Sequence, residues 1–304
     1  MKLLKQLCSI HAPSGEEIKL KEFILWWINT NMNNWKVKPT IMEDSGLQDS
    51  VVLVFGKPRT AIFAHIDSTG FTARYNNELV NIGGPNFKNG DKLIFEKQNN
   101  IFETKLVFDK KTEKVFCDYK EIISPGTTLT YKVNFKTNEK EIFAPYLDNR
   151  LGVWVALNIS KNLENGIIVF SCYEEHGGGS VEKIAKIIYE KYSINQALIA
   201  DITWATQGVF LDKGVVVSLR DKYIPRKFYT DKICNILKNN KIKFQLEVES
   251  SGSSDGGYLQ KCAQPIDWCF IGVAEENNHS SLEKVNILDV NSMLKTYEIL
   301  MKEM

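Results

Sequence analysis

Apolar strand-like runs that alternate with amphipathic stretches constrain the fold of this chain more than any other feature. Val51–Phe55 and Gly166–Cys172 have the length and the apolar character of buried strands. The stretches that begin at Val181 and at Ile287 carry apolar residues at helical spacing instead. Strands and helices that alternate along a chain favour a mainly parallel or mixed sheet with helices on both faces.

The alternation is interrupted from about Phe71 to Glu141, where helical periodicity disappears. Short β-type runs such as Lys92–Phe95 and Thr128–Phe135 replace it, and turn signals such as Asn89-Gly90 separate them. A segment of this length can fold as a small domain. The sequence therefore predicts an α/β protein. It also predicts a mixed-sheet α/β/α domain made of residues 1–70 and 143–304, with an inserted all-β, barrel-like domain at residues 71–142.

Charge and composition exclude several classes of function. The chain has 38 basic and 37 acidic residues, which is not the basic excess that a dedicated nucleic-acid surface needs. The longest clean apolar run, Phe23–Ile28, is far too short to span a membrane, and Lys5 and Gln6 interrupt the place of a signal-peptide core. The six cysteines form no C-x2-C pair, so we expect free thiols. These features predict a cytoplasmic protein that binds neither nucleic acid nor membranes.

Polar side chains follow the predicted strands at the points where open α/β sheets bind ligands. His65 and Asp67 come directly after the run Ala61–Ala64. On an extended chain, residues two apart point to the same face, so Asp67 can fix the tautomer of a metal-binding His65. A histidine–aspartate pair with a purely structural role is the alternative.

Glu174 and Glu175 follow the Gly166–Cys172 run directly. Adjacent carboxylates at the end of a buried strand are costly without a cation, because repulsion and desolvation both oppose their ionisation. A solvated acidic loop is the alternative. Asp148, Asp201 and His279 also lie at strand ends or helix starts, where each alone also fits a structural role such as helix capping.

Three further features favour structural interpretations. Ser14 and Glu17 fit a capping box, which predicts a helix with Ser14 as its N-cap. His11 precedes Pro13 in a predicted loop, and we interpret it as structural. His176 is adjacent to the two glutamates, but a surface-loop histidine is favoured over a ligand there.

In combination and in order, these motifs resemble those of the glutamyl-aminopeptidase, or TET-type, family of di-metal aminopeptidases, which belongs to the clan of co-catalytic zinc exopeptidases. A barrel-like module between the first two motifs is also typical of that family. The motifs span most of the chain and are Ala64–Phe71, Leu147–Gly152, Glu174-Glu175, Ala200–Thr203, Gly252–Asp255 and His279–Glu283.

The resemblance implies two divalent metal ions, either zinc or else cobalt or manganese. Five side chains would bind them: His65, Asp148 and Asp201 would hold one ion, and Asp148, Glu175 and His279 would hold the other. Asp148 would bridge the ions, Glu174 would be the catalytic general base, and Asp67 would orient His65. The nucleophile would be a metal-bridged hydroxide.

The function implied by the resemblance is that of a cytoplasmic metalloprotease, an aminopeptidase that hydrolyses the N-terminal residue from peptides with a free N-terminus. It would be a homo-oligomer, a dimer or larger, with the inserted domain in a dimerisation or accessory role. One alternative is a di-metal amidohydrolase for an N-acyl amino acid or another small amide. Another is a catalytically degenerate paralogue that acts as a binding or assembly module. The run His176–Gly179 and the Ser253-Ser254 pair depart from the family pattern.

Overall fold

The structure, a computed structural model, describes residues 1–98 and 100–304 of the chain. Its α-helices are α1 Lys2–Cys8, α2 Ile18–Asn31, α3 Leu147–Ile159, α4 Val181–Tyr192, α5 Lys227–Asn239, α6 Asp255–Lys261 and α7 Ile287–Glu303. Its strands are β1 Thr40–Met42, β2 Val51–Phe55, β3 Ala61–His65, β4 Gly70–Ala73, β5 Glu78–Ile82, β6 Lys92–Lys97, β7 Asn100–Asp109, β8 Lys114–Cys117, β9 Thr128–Tyr131, β10 Lys136–Thr137, β11 Glu141–Ala144, β12 Gly166–Ser171, β13 Gln196–Trp204, β14 Val215–Arg220, β15 Phe244–Val248, β16 Asp267–Glu276 and β17 Glu283–Asn286. Short 3-10 turns lie at Met32–Asn34, Ser45–Leu47 and Tyr75–Asn77.

A mixed sheet of eleven strands forms the centre of the larger unit, with its main path in the order β1-β2-β12-β3-β13-β16-β17-β11-β10. Strand β14 pairs with β16 and also with β15. The central strands β12, β3, β13 and β16 run parallel to one another. Their carboxyl ends therefore meet at one edge of the sheet, where loops can bring polar side chains together.

Helices cover both faces of this sheet, which explains why the central strands β3 and β12 are apolar up to their last residues. In β3, Ile62 and Ala64 face one core, formed with α1, α2, α3 and α7. Ala61 and Phe63 face the opposite core, formed with α4 and part of α6. Alternate residues of a strand point to opposite faces, so a strand covered on both sides needs no polar positions.

The smaller unit is a closed barrel of six antiparallel strands in the order β4-β5-β8-β7-β6-β9. Its interior is apolar and rich in aromatic side chains. Phe71 contacts Tyr131 edge to face with ring centroids 6.0 Å apart, and Phe95 contacts Tyr119 in the same way at 5.0 Å. Aromatic rings of this size fill a small barrel without any polar network.

The predicted fold class is confirmed, since a mixed α/β unit contains an inserted barrel. The limits of the inserted domain at residues 71 and 142 stay a prediction. The barrel strands extend from Gly70 to Tyr131, and β10 already pairs within the large sheet. Across the described residues, no helix combines the length and apolar character that crossing a membrane requires.

The capping box predicted at Ser14 is wrong. Helix α2 begins at Ile18 with Glu17 as its N-cap, and the Ser14 hydroxyl donates a hydrogen bond of 2.6 Å to Asp67 Oδ2 instead. A cap would need the hydroxyl to accept from a main-chain N–H, but here it donates to a buried carboxylate whose position could not be read from local sequence.

Candidate metal centre

The central parallel strands bring the predicted site residues to one edge of the sheet. His65 is the last residue of β3, and Ser171, the last residue of β12, lies beside it in register. Glu174 and Glu175 follow β12 by three and four residues, and Asp201 lies in β13, the other neighbour of β3. His65 and the two glutamates lie at or beyond strand ends, whereas β13 continues past the predicted end, so Asp201 is the sixth of its nine residues.

Asp148 and His279 come from outside this strand set. Asp148 is the second residue of α3, and it is buried. Its main-chain N–H donates to Glu283 Oε2 at 3.2 Å, and Asn278 Nδ2 donates to Asp148 Oδ2 at 3.0 Å. The N-cap of α3 is Tyr146, so Asp148 does not cap the helix.

Two groups of potential ligand atoms result, and they share one carboxylate. The first contains His65, Asp148 and Asp201, and the second contains Asp148, Glu175 and His279; within each group the atoms lie within 4.8 Å of one another. Asp148 Oδ1 is 3.2 Å from His65 Nε2, whereas Asp148 Oδ2 is 3.3 Å from His279 Nε2. The two oxygens of one carboxylate thus face two different groups.

The remaining distances complete the two groups. His65 Nε2 is 3.6 Å from Asp201 Oδ1, and His279 Nε2 is 3.3 Å from Glu175 Oε2. Glu174 belongs to neither group, although its Oε2 lies 4.0 Å from His65 Nε2. The side chains of Glu174 and Glu175 are only 12% and 5% exposed, so the alternative of a solvated acidic loop is wrong.

Burial shifts the pKa values of these carboxylates upward, and neighbouring acids add to the shift. Burial, together with the charge of Asp148, raises the pKa of Glu175 to about 8, and burial raises that of Asp201 to about 6. Burial also raises the pKa of Glu174 well above its usual value. Burial acts against protonation of His65, but the carboxylates of Asp201 and Asp148 outweigh it and raise the histidine's pKa. The protein alone therefore disfavours the ionised form of these carboxylates, which a cation bound beside them would stabilise.

The residues present fit a pair of divalent cations. The donors are imidazole nitrogens and carboxylate oxygens without thiolate, a set that suits zinc, cobalt or manganese. Glu175 Oε1 is buried and lacks a hydrogen-bond partner among the residues described. A buried carboxylate oxygen in this condition is costly unless a cation binds it.

Asp67 connects the histidine with the two glutamates. It is fully buried; its Oδ1 lies 3.3 Å from His65 Nδ1 and its oxygens accept the main-chain N–H groups of Glu174 and Glu175 at 3.0 Å. Burial opposes the ionisation of Asp67, but His65 and the hydrogen bonds outweigh it and lower its pKa. An ionised Asp67 can therefore orient His65 and hold the acidic loop at the same time.

The barrel contributes a contact that the sequence analysis missed. Gly84, in the loop after β5, accepts a hydrogen bond at 3.1 Å from His279 Nδ1, which leaves Nε2 directed at the second group. Asn86, two residues later in the same loop, binds the main chain of the same histidine, since its N–H donates to His279 O at 2.9 Å. The Gly83-Gly84-Pro85 turn was visible in the sequence, but nothing local linked it to a histidine almost 200 positions away.

Two other predictions concern residues near the site. His176 is exposed and accepts a hydrogen bond from Gly83 N at 3.0 Å, as expected for a loop histidine. His11 lies 2.8 Å from the hydroxyls of both Thr128 and Thr130 and so connects the N-terminal segment to β9. Both histidines lie outside the two groups of candidate ligands.

Comparison with known proteins agrees with this architecture. The family profile described as M42 glutamyl aminopeptidase matches residues 95–296. A protein of Acetivibrio thermocellus that bears the name "Putative aminopeptidase" is 24% identical, with 96% of each chain covered.

Solved structures show the same fold. An aminopeptidase of the archaeon Desulfurococcus kamchatkensis has a TM-score of 0.86 at 19% identity, over 100% of this chain and 94% of that one. The TET1 peptidase of Pyrococcus horikoshii, whose description says that it can assemble into a tetrahedron or a large octahedral shell, has a TM-score of 0.81 at 20% identity, over 100% and 99% of the two chains. Because the family profile matches more than half of the sequence, the chain belongs to the M42 glutamyl aminopeptidase family, as its motifs predicted, and is a peptidase.

Proposed function

We propose that this chain is a metal-dependent aminopeptidase that hydrolyses the N-terminal residue of peptides with a free N-terminus. The observation that carries the proposal is the shared carboxylate, since Asp148 directs one oxygen to His65 and the other to His279. A carboxylate between two sets of ligands is the arrangement that holds two cations close together. His65 and Asp201 would hold one ion, and Glu175 and His279 the other.

Divalent ions bound there would polarise the scissile carbonyl group and lower the pKa of water. The side chains around them divide the remaining tasks. Glu174 lies beside the ligand groups without joining either, so its carboxylate is free to take a proton from water and give it to the leaving amine. Asp67 holds Glu174 through its main-chain N–H, and it faces His65 Nδ1. In this position Asp67 would keep His65 Nε2 directed toward Asp148 and Asp201.

Removal of the metal and substitution of Glu174 test this function. A chelator should abolish hydrolysis of aminoacyl p-nitroanilides, and zinc, cobalt or manganese should restore it. Glu174→Gln should lower kcat by about 10² or more, as loss of a general base does, while metal content stays near two ions per chain. Glu175→Gln is the matched comparison, because it should reduce the metal content itself.

Other outcomes would point to the alternatives. Full activity in chelator would contradict the metal mechanism, and loss of metal from Glu174→Gln would make that residue a ligand. Hydrolysis of N-acyl amino acids alone would favour the amidohydrolase. Metal binding without hydrolysis of any substrate would favour a binding or assembly module.

The proposal also covers the oligomeric state and the cellular location of the protein. The TET1 peptidase of Pyrococcus horikoshii can assemble into a tetrahedron or a large octahedral shell, so we infer a homo-oligomer here, in which the inserted barrel contributes to dimerisation. Several apolar side chains on the barrel surface support this role, among them Ile101 at 65% exposed and Ile122 at 64%. Light scattering of the purified chain measures the assembly, and a monomer would contradict the proposed oligomer.

We also propose a cytoplasmic location, which fits the six thiols and which cell fractionation would test.

A further inference from the structure

The cavity that contains the candidate metal centre has a second group of acids in its wall. A cavity of about 260 Å³ is lined by the ligand groups and also by Asp221, Glu247 and Glu249. Asp221 follows β14, Glu247 lies in β15, and Glu249 comes just after β15. The part of the chain that the structure describes contributes no lysine or arginine to the lining. The reaction proposed above makes no use of these three carboxylates.

The two deeper acids of this wall are buried and have spare acceptor capacity. Glu247 is 4% exposed and accepts one hydrogen bond, from the Thr203 hydroxyl, at its Oε1. Asp221 is 7% exposed and accepts one hydrogen bond, from Tyr223 N, at its Oδ1. Ser218 lies beside Glu247 in register on β14, whereas no hydrogen bond from the described residues reaches the second oxygen of Asp221, and both acids line the cavity. A carboxylate of a largely buried residue that faces a cavity with an oxygen free of donors, as in Asp221, favours a ligand that supplies one.

This wall adjoins the metal centre. Thr203, which holds Glu247, lies two residues after Asp201 on the same strand. A substrate whose scissile bond lies at the ligand groups can therefore extend its first side chain toward Glu247 without leaving the cavity.

The charges of the wall are additional to those of the metal centre. Two divalent ions would balance the four carboxylates of Asp148, Glu174, Glu175 and Asp201. Arg220 is the chain neighbour of Asp221, but its Nε donates to the main-chain oxygens of Asp221 and Glu249 and not to a carboxylate. The whole chain has a net charge of +1, so this excess of negative charge is local.

We propose that the wall formed by Asp221, Glu247 and Glu249 is the subsite for the side chain of the substrate's N-terminal residue, and that it selects lysine or arginine. This inference rests on the aminopeptidase function proposed above. A cationic side chain can donate hydrogen bonds to the free carboxylate oxygens, and a partly dehydrated cavity strengthens the attraction. A glutamyl side chain would meet like charge there, which disfavours the preference that the family name describes.

A panel of substrates tests the subsite. With metal supplied, kcat/KM for lysyl and arginyl p-nitroanilides should exceed that for the glutamyl and leucyl compounds by roughly tenfold or more, the effect of about one ion pair in such a site. Asp221→Asn and Glu249→Gln should each lower the lysyl-to-leucyl ratio. Glu249→Lys should shift preference toward glutamyl substrates. Glu190→Gln, an exposed acid on α4, is the matched control and should leave the ratio unchanged.

Calorimetry separates a failure of the subsite from a failure of the proposed reaction. Metal-loaded protein should bind free lysine more tightly than free glutamate, and Glu249→Gln should reduce the difference, whether or not any substrate is hydrolysed. Tighter binding of lysine without turnover would support the subsite and contradict the aminopeptidase function. Equal or tighter binding of glutamate, or a lysyl-to-leucyl ratio that neither wall variant changes, would overturn the inference.

Discussion

The interior of the barrel and the ligand-bearing edge of the large sheet are both buried, but they contain opposite kinds of side chain. Phe71, Phe95 and Tyr131 are almost completely buried in the barrel, where they pack against other rings and aliphatic groups. At the sheet edge, Asp148 and Asp201 are also buried, yet their neighbours include further carboxylates. The same degree of burial thus has opposite energetic consequences in the two regions.

The comparison indicates which part of the molecule depends on something outside the chain. Burial of apolar surface stabilises a fold by itself, since water is the only other participant. Burial of several like charges destabilises the fold unless a cation binds them or protons neutralise them. We therefore expect the barrel to be stable with or without metal, and the sheet edge to gain stability from metal.

The largest expected effect is the stabilisation of the protein by divalent metal. A ligand present at about a thousand times its dissociation constant adds about 4 kcal/mol to the free energy of unfolding. In a chain of this size that corresponds to a rise in Tm of roughly 10 °C. Differential scanning calorimetry of metal-depleted and zinc-loaded protein measures the shift.

Substitution of the shared ligand shows whether the metal effect arises at this edge. Asp148→Asn should remove most of the zinc-induced rise, because one carboxylate belongs to both groups. Asp231→Asn, which changes an exposed acid on α5, should retain the rise in full. A Tm that is the same with and without zinc would mean that the protein balances the edge by itself.

A smaller effect is expected from truncation in the barrel, and it should not depend on metal. Phe95→Ala removes a ring that lies against Phe102 and Tyr119, with centroids 5.6 and 5.0 Å away. The expected cost is ~3 kcal/mol, near the lower end for phenylalanine because the neighbouring rings can close part of the cavity. Urea unfolding should give the same loss in zinc-loaded and metal-depleted protein.

The tryptophans make this measurement specific to one region. All six, which are Trp26, Trp27, Trp35, Trp154, Trp204 and Trp268, lie outside the barrel strands. Their fluorescence therefore reports on the large unit, whereas far-ultraviolet circular dichroism reports on both units. If Phe95→Ala weakened metal binding as strongly as Asp148→Asn, the two regions would not be energetically separate.

The sequence predicted the parts of the fold that depend on local pattern. Val51–Phe55 and Gly166–Cys172 were identified as strands because a short, uninterrupted apolar run is typical of a buried strand, whereas the helices of this chain are amphipathic. The observed strands Val51–Phe55 and Gly166–Ser171 match them closely. Strand ends then indicated which acids and histidines would meet, and the structure brings all seven predicted site residues together.

Contacts between distant segments could not be predicted in this way. The hydrogen bond from His279 to Gly84 joins a barrel loop to the end of β16, and neither sequence carries a mark of the other. Asp221 and Glu247 reach the cavity from strands that pair only in the folded sheet. Ser14 was assigned to a helix cap because a local partner was visible, whereas its actual partner, Asp67, is 53 positions away.

The smallest expected effect comes from a contact between the N-terminal segment of the large unit and strand β9 of the barrel. Glu16, in the N-terminal segment, accepts a hydrogen bond from Thr128 of β9, and its Oε2 lies 3.6 Å from His11 Nε2. The contact with His11 and the hydrogen bond lower the pKa of Glu16 from 4.5 to about 2. A carboxyl group whose pKa is lowered on folding stabilises the protein above its unfolded pKa, and the contribution disappears as the pH falls from about 4.5 to about 2.

Because the Glu16 side chain is 40% exposed, solvent screens this contact, and Glu16→Gln should cost less than about 1 kcal/mol at pH 7. The difference in Tm from the unsubstituted protein should shrink as the pH is lowered through 4. Glu22→Gln, an exposed acid on α2, should show no such pH dependence. A loss at pH 7 that equalled that of Phe95→Ala would contradict this expectation and show that the contact stabilises the protein as much as the barrel interior does.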